Sequence, residues 1–180
     1  LSFSFGIKPK TSVGYLLEND DKSKTPPELN RFTGSGGVSN AFVSIGFELF
    51  KNWGFGVSSS YAFGNLNHYH TKILEDIQLY TMVSSESSVS GLDYNFSSVY
   101  QKNLNEKITL YSSIIYQPEA NYKSRNNQSI STIDPNSGFG GDSEEIDLSA
   151  VGLKNTNVKI PSSLSFGLGL GQDKKWFLGL

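Results

Sequence analysis

The sequence has no cysteine, few charged residues and no long hydrophobic run. The absence of cysteine excludes a disulfide framework, thiolate chemistry and any cysteine-based metal site. No apolar stretch approaches the roughly 18–20 residues that a transmembrane helix needs, which excludes a helical membrane protein. The net charge of −2 comes without a basic block, so nothing in the sequence indicates a nucleic-acid partner.

The sequence is rich in glycine, serine and aromatic residues and poor in charged residues. Charged residues make up 18% of the 180 residues, whereas about 25% is usual in soluble domains. Aromatic residues reach 13%, and there are 18 glycines. This composition is typical of β-rich proteins and fits outer-membrane barrels, in which polar lumen and loop residues offset the apolar lipid face.

Residues 34–64 predict two strands joined by a short turn at Lys51-Asn52. Apolar side chains recur at every second position, and glycine, serine or polar residues occupy most of the positions between them. A period of two predicts strands rather than a helix. The apolar set is Ala41, Val43, Ile45, Phe47 and Leu49 in the first strand and Trp53, Phe55, Val57, Tyr61 and Phe63 in the second.

Five further segments continue this pattern, which gives about seven strands in all. They cover residues 1–7, 91–100, 108–117, 160–171 and 176–180. Short polar turns at 51–52, 101–107 and 172–175 alternate with long irregular segments at 9–37, 65–89 and 118–159. Outer-membrane barrels alternate in this way, with short periplasmic turns and long outer loops.

We therefore predict an all-β fold, an antiparallel transmembrane β-barrel in the outer membrane of a Gram-negative bacterium. Residues 1–180 form a single domain, with outer loops at about 9–37, 65–89 and 118–159. Both ends lie inside alternating segments, so the barrel is expected to be incomplete at both ends. A soluble β-sandwich binding module stays open as an alternative, because its core could use the same apolar faces.

The barrel interpretation assigns each face of the strands an environment. The apolar face meets lipid, and the polar face lines a lumen in which Glu48, Asp93 and Asn95 are tolerated. Tryptophan and tyrosine favour the membrane–water boundary, since the ring is apolar and its N–H or O–H group is not. The residues predicted for such interfacial girdles are Trp53, Trp176, Tyr61, Tyr100 and Tyr116.

Candidate metal and anion sites are few. His68 and His70 would point the same way on a strand and could share a metal, although exposed loop histidines are the favoured interpretation. Gly34 to Gly37 lack the Lys-Ser/Thr and helix of a phosphate loop, so we interpret them as a bend at the barrel rim. An acidic loop offers oxygen ligands without the spacing of a calcium-binding EF-hand, and a solvated loop is favoured; its residues are Asp134, Asn136, Asp142, Glu144, Glu145 and Asp147.

Catalysis is not expected. Serine is abundant, but the sequence contains no G-x-S-x-G elbow, and both histidines lie in one predicted loop. We therefore predict no catalytic residues, no cofactor and no enzymatic activity.

Several short segments resemble FadL-like outer-membrane proteins of Bacteroidota. They are residues 8–15 (KPKTSVGY), 34–37 (GSGG), 61–65 (YAFGN), and the hairpin of 160–170 (IPSSLSFGLGL) and 173–179 (DKKWFLG). The resemblance implies a 14-stranded barrel with an N-terminal hatch and passive passage or binding of hydrophobic small molecules. It transfers no ligand-binding residue to this sequence.

The same wider family includes accessory barrels of secretion and barrel-assembly machines. An accessory or structural subunit of a multi-protein outer-membrane machine is therefore the alternative function. The expected partners are outer-membrane lipid and lipopolysaccharide, hydrophobic small molecules, and other outer-membrane proteins in a larger complex.

Overall fold

The computed structural model describes residues 1–75, 77–134, 140–172 and 174–180, and the regular structure in these ranges consists of strands. Among the described residues, no helix has the length and hydrophobicity that crossing a membrane requires. The strands are β1 (Ser2–Asp21), β2 (Glu28–Phe50), β3 (Trp53–Leu74), β4 (Tyr80–Asn103), β5 (Thr109–Gln117), β6 (Ala120–Ile133), β7 (Gly140–Ile146), β8 (Asn155–Ile160), β9 (Ser163–Gln172) and β10 (Trp176–Gly179).

All ten strands belong to one antiparallel sheet with seven strand positions. The first four positions are β1 to β4. β5 and β6 together fill the fifth, because both pair with β4, and β7, β8 and β9 fill the sixth, beside β6 and β5. β10 occupies the seventh. The sheet curls into half a barrel, which confirms the all-β, seven-strand prediction. A sandwich needs two packed sheets, so that alternative is wrong.

The predicted long loops are wrong over most of their length. Strands fill most of 9–37 and of 65–89, and the connections between them are only residues 22–27 and 75–79. Within 118–159, β6, β7 and most of β8 are strands as well. These stretches lack an alternating apolar face because both of their faces are largely polar, so periodicity did not reveal them.

The two faces of the sheet differ in solvent exposure in the half of the long strands that is nearer the turn at 51–52, which we call the lower half. Most side chains on the polar face are buried or half-buried and therefore line the concave side, whereas the apolar side chains project from the convex side. One cross-strand row shows the pattern: it runs through paired, exposed residues on six neighbouring strand positions, namely Phe3, Ile45, Val57, Phe96, Tyr116 and Leu164. We call the convex apolar surface around this row the apolar belt.

A line of irregularities crosses the sheet above the belt. A Cβ atom at Gly64 would lie 2.0 Å from the carbonyl oxygen of Gly37, and one at Gly36, whose φ is +115°, would lie 2.1 Å from that of Asn65. Only glycine permits so close an approach, and glycine in a strand marks a tight bend. We call this line the seam; it consists of the Pro9/Thr11 bulge, Gly36, Gly64, Gly91 and the strand breaks at Pro118 and Pro161.

The seam divides the sheet into a lower part, which carries the belt, and an upper part. In each of β1 to β4, ten residues extend from the seam upward, at 12–21, 28–37, 65–74 and 80–89. The glycine-rich segment 34–37 is therefore inside β2, and not at the end of a strand as the rim prediction required. A small hydrophobic core lies at the seam, formed by Val38, Ala62, Val89, Ala120 and Tyr122 with Leu66 and Ile160 packed against it.

Candidate functional site

A buried charged cluster lies on the concave side of the seam. Asp93 of β4, which is 2% exposed, accepts a hydrogen bond from Lys10 Nζ at 2.7 Å. The hydroxyl of Tyr122 in β6 also donates to Asp93 Oδ2 and accepts from Lys10 Nζ. The ammonium group lies 4.9 Å from the centre of the Tyr122 ring. Ser60 on the paired position of β3 completes the set.

The cluster joins parts of the sheet that are not neighbours. β2 and β3 separate β1 from β4. In a flat sheet, three strand spacings of about 4.8 Å would place β1 roughly 14 Å from β4, beyond the combined reach of a lysine and an aspartate side chain. Lys10 lies on the concave face by alternation with Phe3, Phe5 and Ile7, and small residues beneath it, such as the fully buried Ala62, leave room for the curl. The ion pair therefore holds the curl closed at the seam.

The chemistry of this cluster is that of a structural ion pair. Asp93 is almost fully buried and accepts hydrogen bonds from Lys10 and Tyr122 with Ser60 beside it, and a carboxylate surrounded in this way is stabilised as an anion. Burying this carboxylate without such partners would be strongly unfavourable.

A second polar network covers the concave side of the upper part. Glu28 accepts from Asn30 Nδ2 at 2.7 Å and forms ion pairs with Lys72 at 3.0 Å and Lys24 at 3.2 Å. These contacts lower the pKa of the Glu28 carboxyl from its ordinary 4.5 to about 2, with the Asn30 hydrogen bond as the largest cause. The network ties the tips of β1, β2 and β3 together.

The two candidate metal-binding histidines have different hydrogen-bond partners. His68 and His70 do share a face of β3, as a period of two requires. The Nδ1 atom of His68 lies 3.0 Å from the Tyr15 hydroxyl, whereas Nε2 of His70 donates to Asn30 Oδ1 at 2.8 Å. Within the described residues, no group of three or more histidine, aspartate or glutamate side chains is placed to hold a metal ion.

The acidic segment is divided between a strand and a turn. Asp142, Glu144 and Glu145 lie in β7, where alternation places Asp142 and Glu144 on one face and Glu145 on the other. Asp147 accepts a hydrogen bond from the backbone N–H of Ser149 at 2.8 Å. Asn136, like Asp173 of the third short turn and Asp76 beside the histidines, lies outside the described residues.

The predicted lumen residues all lie on the concave face. Asp93 is in the buried cluster. Asn95 is half-buried beside Ser58 in a cavity of about 290 Å³. Glu48 lies at the exposed lower edge, where its carboxylate accepts the N–H of Asn52, a residue with φ of 71° at the turn.

The predicted girdle aromatics lie on the convex face, at different heights. Trp53 contacts Tyr100 at the lower edge, with 5.1 Å between ring centres, and Trp176 opens β10 beside a lower turn. Tyr61 lies at the upper end of the belt, eight residues along β3 from Trp53. Tyr116 lies in the middle row with Val57, between the two edges. Their placement at membrane interfaces stays a prediction.

Sequence reasoning missed the cluster because two of its members gave no local signal. Lys10 and Tyr122 are 112 residues apart, and both were assigned to irregular segments. The inward direction of Asp93 was predictable from alternation, but its partners were not.

Comparison with known families adds a decisive observation. The model of the BamG family matches residues 1–180, the whole chain. The chain belongs to the BamG family. No curated protein and no solved structure matches it significantly.

BamG membership corrects the predicted family. The resemblance to FadL-like proteins is wrong, since the family that matches is BamG. The segments behind that resemblance combine small residues, alternation and a tryptophan after a turn, which many barrel hairpins share. BamG proteins are related to barrel assembly and associate with the outer membrane of Gram-negative bacteria and with other outer-membrane proteins in a complex. The accessory-subunit alternative therefore fits better than transport.

Proposed function

We propose that this BamG chain forms part of the wall of an integral outer-membrane barrel and acts as an accessory subunit of a barrel-assembly complex. The observation that carries the proposal is the apolar belt on a sheet that the BamG family model matches throughout. Large contiguous apolar patches are rare on soluble monomers and mark protein or membrane contacts. Contact with lipid accounts for a belt that extends over six neighbouring strand positions.

The height of the belt supports insertion into a bilayer. On β3 its exposed apolar side chains extend from Trp53 to Phe63, ten residues apart, which corresponds to roughly 33 Å of strand. The outward apolar band of outer-membrane barrels is about 25 Å tall, and strand tilt makes the vertical distance shorter than the strand length. In this arrangement the short turn at 51–52 faces the periplasm, and the upper part extends beyond the outer leaflet.

The upper part supplies the surface for partner proteins. Ten residues of each of β1 to β4 extend from the seam upward, or about 33 Å of strand. The Glu28 network and the Lys10–Asp93 pair stiffen it. The subunit works by binding and positioning, without catalysis.

Affinity purification from detergent-solubilised outer membranes tests the proposal. We expect the tagged full-length protein to retain a larger assembly that contains a core barrel-assembly protein. A tagged, unrelated barrel of similar abundance serves as the control. We also expect depletion of the protein to lower the amounts of other outer-membrane barrels. A solitary monomer whose depletion leaves those barrels unchanged would refute the accessory role.

A further inference from the structure

A polar groove opens on the convex face beside the seam. Its cavity, of about 610 Å³, is formed where β4, β6 and β8 run side by side. Two basic side chains project from β6 at alternate positions and lie between serines of β4 and asparagines of β8. The lining residues on the convex face are Ser88, Ser90, Lys123, Arg125, Asn155 and Asn157, and Ser124 and Thr156 complete the lining.

The two cations of the groove are uncompensated. Among the residues that the structure describes, neither Lys123 nor Arg125 forms an ion pair or a side-chain hydrogen bond. Lys159, on the neighbouring strand, has its charge matched by Glu119 at 2.8 Å. The groove therefore carries two positive charges and four neutral hydrogen-bonding side chains, a set suited to a phosphate group.

The register places this groove at the upper limit of the apolar belt. Lys123 pairs with Ser90, and Ser90 pairs with Phe63 of β3. The next row down contains Tyr61 and Leu92, both of which are exposed on the convex face. A ligand whose phosphate occupied the groove would therefore have the belt directly below it for its acyl chains. A free phosphate ion would gain nothing from that arrangement.

We propose that Lys123 and Arg125 bind the phosphorylated headgroup of an outer-leaflet lipid, with its acyl chains lying on the apolar belt. This inference rests on the proposed function, because it requires the belt to face lipid and the upper part to face outward. Ser88, Ser90, Asn155 and Asn157 supply the neutral hydrogen bonds, and Arg125 can bind two phosphate oxygens at once. The lipid would anchor the seam to the outer leaflet.

The test uses the full-length protein in phosphatidylcholine nanodiscs that contain a small fraction of a fluorescent, phosphorylated lipid A. The double variant Lys123→Ser/Arg125→Ser is compared with the wild type. Lys102→Ser, which removes an exposed lysine at the lower end of β4, is the matched control. Basic residues near a membrane surface each add measurably to the attraction of anionic lipid, so we expect the double variant to lose roughly tenfold or more in lipid A retention. Lys102→Ser should match the wild type.

Two further arms identify the source of the phosphate. Dephosphorylated lipid A should not be enriched by the wild type, and millimolar inorganic phosphate should not displace the phosphorylated lipid. Equal retention by the wild type and the double variant would overturn the inference, as would enrichment of the dephosphorylated lipid or displacement by free phosphate. If the wild type entered nanodiscs without enriching lipid A, this inference alone would fail. If it did not enter nanodiscs at all, the proposed function would fail with it.

Discussion

At the scale of single residues, Asp93 connects the most distant parts of the chain. Its carboxylate receives Lys10 from β1 and Tyr122 from β6, while Ser60 lies beside it on β3. Lys10 is about a quarter exposed, whereas Asp93 is almost fully buried. Removal of either charge leaves the other one poorly solvated, so the two side chains should be tightly coupled in stability.

We expect Asp93→Asn to lower the free energy of unfolding by about 3 kcal/mol, the lower end of the range for breaking a buried ion pair, because Lys10 keeps some contact with water. Urea unfolding of the protein in lipid vesicles measures the change. The double variant Lys10→Met/Asp93→Asn removes the orphaned charge and should regain part of the loss. Equal unfolding midpoints for Asp93→Asn and the wild type would show that the pair does not hold the curl.

The Glu28 carboxyl gives a pH dependence with a defined direction. Its pKa is lowered from 4.5 to about 2 in the folded protein, so its stabilising effect is complete above pH 4.5 and is lost as the pH falls through about 2. We expect amide protection at the tips of β2 and β3 to fall as the pH is lowered from 4.5 to about 2. Hydrogen exchange, corrected for its intrinsic pH dependence, measures this.

Glu28→Gln serves as the control for the pH experiment. Its tip amides should be less protected at neutral pH, and the acid step should be absent. An unchanged acid step in this variant would assign the transition to another carboxyl group, such as Asp21 at the end of β1, whose pKa the Ser23 hydrogen bonds also lower.

At the scale of elements, the seam decides how the long strands bend. β2 and β3 remain unbroken across it because Gly36 and Gly64 allow an approach that a Cβ atom would block. The fifth and sixth strand positions are instead interrupted at Pro118 and Pro161. Proline cannot donate to a ladder, so a strand ends there or bends. Two different devices therefore produce the same bend in different strands.

We expect Gly64→Ala to destabilise the protein by about 2 kcal/mol or more, because its methyl group would overlap the Gly37 carbonyl and force the strands apart. Gly14→Ala in β1 is the matched control, since no atom lies within 4 Å of the position that its methyl group would occupy. The measurement is the urea midpoint of both variants in lipid vesicles. Similar losses at the two positions would mean that the seam is not tightly packed.

The sequence predicted the lower strands because their two faces carry opposite chemistry on alternate residues. Val57 and Ser58 show this contrast, and the structure places them on opposite faces. The upper strands have no such contrast. Residues 65–74 carry polar side chains on both faces, so the local sequence does not distinguish this segment from a loop. Their order comes from the hydrogen-bonded ladder and from networks such as Glu28–Asn30–His70, which no spacing along the chain reveals.

At the scale of the whole molecule, the proposal of a lipid-facing belt makes the two faces unequal. We expect Val57→Arg to lower stability in the membrane by roughly 2–4 kcal/mol, since a charge would enter the hydrocarbon region. Ser58→Arg places the same charge beside the cavity that Ser44 and Asn95 line, and it should be milder. Heat-modifiable migration of the folded barrel and the amount of protein in purified outer membranes measure both. Equal effects would contradict the assignment of the faces.

The extension of the strands above the seam has a consequence for biogenesis. In the proposed orientation, with the short turns in the periplasm, each upper hairpin would be translocated through the bilayer, about 33 Å of largely polar strand at a time. Unpaired backbone groups cost several kcal/mol each in hydrocarbon, so these strands must pair before or during the crossing. A member of a barrel-assembly family would then itself be a demanding client of the insertion machinery, and its own maturation would be among the first processes to slow when that machinery is limiting.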